Sequence, residues 1–261
     1  MSIYLFRDEN TWVHRLDPRT KIISLVLLFA IAIAMQHPIA TGLLFLAMMC
    51  LAWISRAIPN LKRVRVILTM VLTMSIILWA LFARGPTVIL GPFTIEGLLY
   101  GLGTGLKLAS MIVAGIVLLT TTTNEEIAQG LNRLGIPYPI CFAFSTALRM
   151  VPTIAETAAT VIEAQRSRGL DFDSGSILER IRKYLPVLIP VFAGTFRKTD
   201  EFTMALDSKA FDPVGSRTNL IVCRMRTVDY FVLGIVLIAL AIAIIGNVQG
   251  WVMIPGLDIR R

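Results

Sequence analysis

Two stretches place basic side chains where a helix should stop. In EAQRSRGLD, residues 163–171, Gly169 supplies the left-handed residue that ends a helix, so Arg166 and Arg168 are presented in its last turn with Ser167 between them. In ALDSKAFDP, residues 205–213, Ser208, Lys209 and Ala210 occupy a similar end about forty residues later. A guanidinium there is a planar donor fork suited to a carboxylate; Lys209 offers only a point donor. The chemistry is docking. The competing reading is that basic residues in a last turn merely offset the helix dipole and follow the positive-inside rule.

Other candidate groups are sparse. Asp171 and Asp173 could hold a divalent ion, but two carboxylates on one short loop read more simply as a solvated turn, with no second acidic cluster to complete a metallo-enzyme. His14 and His37 are isolated, so no metal site is expected from them. Three cysteines, Cys50, Cys141 and Cys223, cannot form a paired framework and are expected as reduced packing residues. The GLGTG run at residues 101–105 lacks a preceding strand, and no GxxxxGK[ST] signature occurs, so ATP would have to be hydrolysed by partners. No cofactor is expected.

The elements that position these residues are mostly membrane helices. The chain has 261 residues, 56% apolar and 16% charged, with mean hydropathy +0.73; a soluble domain has about 25% charged residues. Residues 22–55, 66–83 and 230–257 hold no Asp, Glu, Lys or Arg, and a helix crosses the hydrocarbon core in about 20 residues. Proline at 38 breaks the first window into a hairpin, 22–35 and 39–54, whose short arms rely on Lys21 and Arg56 snorkelling; a re-entrant pair is the alternative. Further spans are expected at 66–82, about 97–121 and about 230–248. The charged start is expected to be an amphipathic lead-in and not a cleavable signal.

The fold expected is therefore all-α: about four spans in residues 1–123, cytoplasmic helices in 124–228, and a last span with a short tail in 229–261. Of 25 Lys and Arg, only Arg84, Arg260 and Arg261 fall on the far side of this arrangement and Lys107 lies within a span. The asymmetry puts the N-terminus in the cytoplasm and the C-terminus outside. The net charge of +8 then reflects topology and anionic lipid, without the aromatic-rich basic stripe of a nucleic-acid binder. Within the fourth span Gly97, Gly101, Gly105 and Ala109 recur every four residues. That face could receive a partner's backbone or pack within this protein. Lys107 could contact a partner or snorkel.

The polar block reads as a series of helices. Asn124 is expected to cap 125–134, which Gly135 and Pro137 stop. Separate helices are expected over about 139–149 and from Pro152, the latter with Ile154, Ala158, Val161 and Ile162 on one stripe. A long helix follows through Pro186 and Pro190, kinked there, to Lys209 and Ala210, ended by Pro213 and Gly215. Its stripe of Ile177, Ile181, Leu185, Leu188, Phe192 and Phe196 must lie on something.

LDPRTK at 16–21, TTTNEEIAQGLNRLGIP at 121–137, ALRMVPTIAETAATVIEAQRSRG at 147–169, YLPVLIP at 184–190 and ALDSKAF at 205–211 together resemble the transmembrane T component of energy-coupling factor transporters, the CbiQ family. The resemblance runs from residue 16 to 211. It implies an importer for a vitamin or transition-metal ion, in which this subunit joins two cytoplasmic ABC ATPases to a small membrane-embedded substrate-binding subunit. It also implies two coupling helices whose arginine motifs dock on the ATPases. Arg168 takes the central place of the first motif; in the second, Lys209 and Ala210 stand where the family often has arginine and glycine. An ordinary ABC permease is the alternative, since Glu163-Ala164, Gly169 and Leu185-Pro186 echo its EAA loop. That reading needs one short helix where two long ones are expected.

Overall fold

The computed structural model describes residues 9, 11–35, 37–82, 88–90, 93–172, 174–211 and 225–249. Among them are eight α-helices and one small antiparallel ribbon, Val88–Leu90 (β1) with Phe93–Thr94 (β2). The chain divides into two compact units, Met1–Leu134 with Ile221–Arg261, and Gly135–Leu220.

The first unit holds α1 (Pro18–Ala34), α2 (Pro38–Ile54), α3 (Ile58–Phe82), α4 (Ile95–Thr121), α5 (Asn124–Arg133) and α8 (Thr227–Val248). Proline opens both α1 and α2, where its missing N–H costs nothing, and the side chains of Asp17 and His37 cap them. Helices α3, α4 and α8 are long and apolar enough to cross a membrane. The hairpin arms α1 and α2 have 17 residues each, about 25 Å of rise against a core of about 30 Å. α3 begins earlier than the apolar run at 66: its first two turns carry Lys62, Arg63 and Arg65, which are all good helix formers.

The core gathers α1, α2 and the start of α3 around α4. Met48, Ala52, Ala57 and Leu61 bury against Val113, Ala114, Ile116 and Val117. Two buried polar side chains beside it are paired, as apolar surroundings favour: Asn60 Nδ2 donates to Thr120 Oγ1 (2.9 Å) and Ser75 Oγ to the Gly101 carbonyl (3.0 Å). α5 packs on α1, its Gly130 lying where a Cβ would come within 3.1 Å of Pro18. Its cap is Thr123, one residue earlier than Asn124: the Thr123 hydroxyl accepts from Glu126 N–H (3.2 Å) while the Glu126 carboxylate accepts from Thr123 N–H (3.0 Å). That reciprocal box satisfies two orphan donors, which Asn124 alone would not.

The recurrence of small residues on α4 is a seam inside this protein. Gly97, Gly101, Gly105 and Ala109 are all buried. A Cβ on Gly101 would lie 2.9 Å from Ile76 Cα and one on Gly105 3.3 Å from Leu72 Cα, both in the backbone of α3. α3 therefore occupies the face that was a candidate for a substrate-binding subunit. Replacing Gly101 with leucine should consequently unfold the α3–α4 pair. Even Gly101→Ala is expected to cost about 1–3 kcal/mol, because a backbone cannot move aside as a side chain can. Thermal melts of purified protein read this directly, and an unchanged midpoint for Gly101→Ala would refute the close packing.

Lys107 finds an acceptor within this protein. Its Nζ donates to the Ile33 carbonyl (3.4 Å), in the last turn of α1. There it does what a basic residue at the end of α1 itself would do, answering a free carbonyl at the negative end of the dipole.

The second unit is two long helices, α6 (Tyr138–Ser167) and α7 (Ile177–Ser208), of 30 and 32 residues. Pro152 lies inside α6, so the two shorter helices expected there are one. Proline forfeits only one backbone bond, and the apolar stripe continues in register on either side. α7 likewise runs unbroken through Pro186 and Pro190. Glu179 caps it by accepting from Ser176 N–H (3.0 Å).

Candidate docking ends of the helical hairpin

α6 and α7 pack antiparallel. Lys198 Nζ donates to Thr157 Oγ1 (3.1 Å) near the middle of both, and Gly194 admits Thr157 Cγ2 to within 3.8 Å of where a Cβ would lie. Phe211, just past α7, stacks on Phe142 near the start of α6, with centroids 4.7 Å apart. Phe172 and Tyr184 meet across the turn between the helices (5.2 Å). The C-terminal ends of α6 and α7 consequently point opposite ways. Arg168 lies 11 residues beyond Thr157, and Lys209 lies 11 beyond Lys198 on the other side. At 1.5 Å per residue the two ends are about 33 Å apart.

Both ends share one backbone form. At α6, Leu170 N–H donates to Gln165 O (3.0 Å) and Gly169 N–H to Arg166 O (2.9 Å); at α7, Phe211 N–H donates to Leu206 O (3.0 Å) and Ala210 N–H to Asp207 O (2.9 Å). This is the Schellman pattern, with the reversing residue left-handed: φ is +90° at Gly169 and +51° at Ala210. The C-cap residue in each case is the basic one, Arg168 or Lys209. Ser167 and Ser208 turn their hydroxyls back onto the helix, to Glu163 O (3.0 Å) and Ala205 O (2.9 Å), leaving the cations as the groups that project. The end of α7 is therefore set by Ala210 itself. Pro213 and Gly215, expected to end it, lie outside the described residues, as do Asp173, Cys223, Arg260 and Arg261.

The backbone form alone does not mark a docking site, since α2 closes the same way with Arg56 left-handed at φ +53°. Charge satisfaction separates them. Arg56 pairs with Glu9 at 3.3 Å, whereas the exposed Arg168 and Lys209 side chains have no partner among the described residues. An alanine held left-handed costs about 1–2 kcal/mol that glycine avoids. Ala210→Gly, matching Gly169, should stabilise the hairpin by about 0.5–1 kcal/mol after glycine's greater entropy loss. A lower melting midpoint for that variant would show that the αL geometry is relaxed in solution.

The stripe expected to lie on something is open. Ile177, Ile181, Leu185, Leu188, Phe192 and Phe196 are all exposed, Ile177 by 79%, and the buried residue of α7 is Val187. Sequence reasoning missed the αL alanine. Its signal was present: a basic residue, a small one, then an aromatic after a helical run, in step with Arg168-Gly169-Leu170.

Two long helices with matched basic ends, joined in one chain to a bundle of apolar helices, define a multi-pass helical membrane protein with a long helical hairpin. Residues 9–220 match the CbiQ family model, described as cobalt transport protein. The energy-coupling factor transporter transmembrane protein EcfT of Thermosediminibacter oceani is 32% identical over 88% of this chain and 91% of its own length. The EcfT of Heliobacterium modesticaldum is 33% identical, over 84% and 87%. A Bifidobacterium longum relative named as an ABC transporter ATP-binding protein is 30% identical over 79% of this chain, a match that spans 28% of that protein. The chain belongs to the CbiQ family and is the transmembrane energy-coupling component of an energy-coupling factor transporter. An ordinary permease is not favoured: its single short coupling helix has no counterpart beside helices of 30 and 32 residues.

Proposed function

We propose that this subunit links two cytoplasmic ABC ATPases to a small membrane-embedded substrate-binding subunit, in an importer for a vitamin or a transition-metal ion. The observation that carries the reading is the pair of unpaired basic C-caps at opposite ends of one stiff hairpin. Two basic ends about 33 Å apart suit two nucleotide-binding subunits side by side, each offering one groove. Arg166, Ser167, Arg168 and Gly169 form one docking end, and Ser208, Lys209 and Ala210 the other. The relative named as an ATP-binding protein, whose length is mostly outside the match, supports an ATPase as the partner.

Closure of the ATPases on ATP moves the two ends relative to each other. Continuous helices transmit that shift, which is the physical requirement for coupling between distant sites. The N-terminus lies in the cytoplasm and the C-terminus outside, the orientation the Lys and Arg distribution favours. The exposed stripe of α7, too apolar for water, suits the third subunit or the bilayer surface.

Extraction of a tagged chain in mild detergent, followed by identification of what co-purifies, tests the assignment. Two ABC ATPases and one small hydrophobic protein are expected, the last naming the substrate. A soluble binding protein in place of the hydrophobic one would restore the permease reading, and absence of any ATPase would sink the proposal.

A further inference from the structure

Between α1, α2, α4 and α8 the first unit forms a half-open pocket of about 270 Å³ that nothing in the coupling function uses. Its walls run from Lys21 to Leu28 on α1 and from Thr121 to Ala114 on α4. Both stretches are seven residues, so the space is a slot about 10 Å long, parallel to the helix axes. Leu25, Leu118 and Val236 line it, and no carboxylate does. Lys21 contributes its stem to the wall while its ammonium is turned away, onto the Thr121 and His14 carbonyls.

One end of the slot is different in kind. Trp12 and Leu16 form it, on the turn that leads into α1, and Trp12 is 51% exposed. Tryptophan with one wet and one apolar edge is a membrane-interface residue. The turn that presents Trp12, through Arg15 N–H to the Trp12 carbonyl (3.3 Å), also presents an exposed Arg15, which has no ion-pair partner among the described residues. An apolar slot running along the helices, opening beside an exposed tryptophan and an arginine with no ion-pair partner among the described residues, has the chemistry of a lipid site.

We propose that the slot holds one acyl chain of an anionic phospholipid, with its phosphate at Arg15. The chain wedges α8 against α2 and α4. α8 otherwise rests mainly on α1, so the lipid completes the seat of the last span. Under the orientation proposed above, the lipid comes from the cytoplasmic leaflet, where anionic headgroups attract juxtamembrane arginine.

The test is native mass spectrometry of the full chain extracted in mild detergent from its own membranes, with the bound lipid identified by its mass. Wild type should retain one phosphatidylglycerol or cardiolipin molecule per chain through repeated washing. Two slot-filling variants on different helices, Leu118→Trp and Val236→Phe, should each lower that occupancy at least fivefold while keeping monodispersity and helix content. Arg15→Gln should instead retain a lipid but lose the preference for anionic over zwitterionic headgroups. Complete delipidation of wild type, equal retention by both filled variants, or equal binding of phosphatidylcholine by wild type would each overturn the proposal. Should one filled variant aggregate, the other decides.

Discussion

Arg168→Glu should strip the ATPases from the complex and abolish uptake while leaving the subunit folded. The side chain is exposed and makes no hydrogen bond or ion pair among the described residues, so its loss removes little from the hairpin beyond a favourable charge at the end of α6, worth about 0.3–1 kcal/mol at the surface. Across an interface the balance is different. Truncating one partner of a buried, hydrogen-bonded charge pair costs about 2–5 kcal/mol, and reversing the charge adds repulsion, so association should weaken by about 100-fold or more. Lys209→Glu should do less, since an ammonium never made a bidentate contact, and Lys209→Arg should tighten binding. Pull-down of the ATPases with each variant, alongside a melting curve, gives the result. Full ATPase retention by Arg168→Glu at unchanged stability would return both helix ends to the dipole-offsetting role.

The parts of this molecule written in local chemistry were legible before any coordinates. Pro38 separates α1 from α2 because proline opens a helix more readily than it continues one. Gly169 reverses the chain as only an αL-tolerant residue does. What escaped were choices decided by neighbours. Pro152 opens a helix or sits inside one according to whether the stripes on both sides bury together, and here they share α6. Gly101 and Gly105 give the same spacing whether a partner or α3 approaches, and only the 2.9 Å distance to Ile76 Cα says which. Lys107 could not be paired with Ile33 from sequence for the same reason: its acceptor is a backbone carbonyl, which leaves no mark on residue type.

The second large effect belongs to Lys21, which LDPRTK marked only as part of a resemblance. Its ammonium is buried, with the residue 8% exposed, and donates to the Thr121 carbonyl at 2.8 Å and the His14 carbonyl at 3.1 Å. The carboxylates of Glu126, Asp229 and Asp17 surround it. Asp229 is 1% exposed and holds two backbone donors, Asp17 N–H at 2.9 Å and Arg226 N–H at 2.7 Å. Lys21 thereby ties the turn before α1 to the end of α4, while Asp229 ties the start of α8 to that of α1, and the ammonium balances negative charge that includes the buried Asp17 and Asp229. Lys21→Met keeps the stem and removes the charge. Leaving buried carboxylates uncompensated costs about 3–5 kcal/mol, which by the scaling for soluble chains of this size is a melting shift on the order of 10 °C. Asp17→Asn in the same background should recover part of that loss, because it removes one of the stranded charges, whereas alone it should be mildly destabilising. Sites in contact reveal their coupling in such a cycle. If the double variant melts where additivity puts it, the charges do not compensate one another, and Lys21 acts only through its two carbonyl bonds.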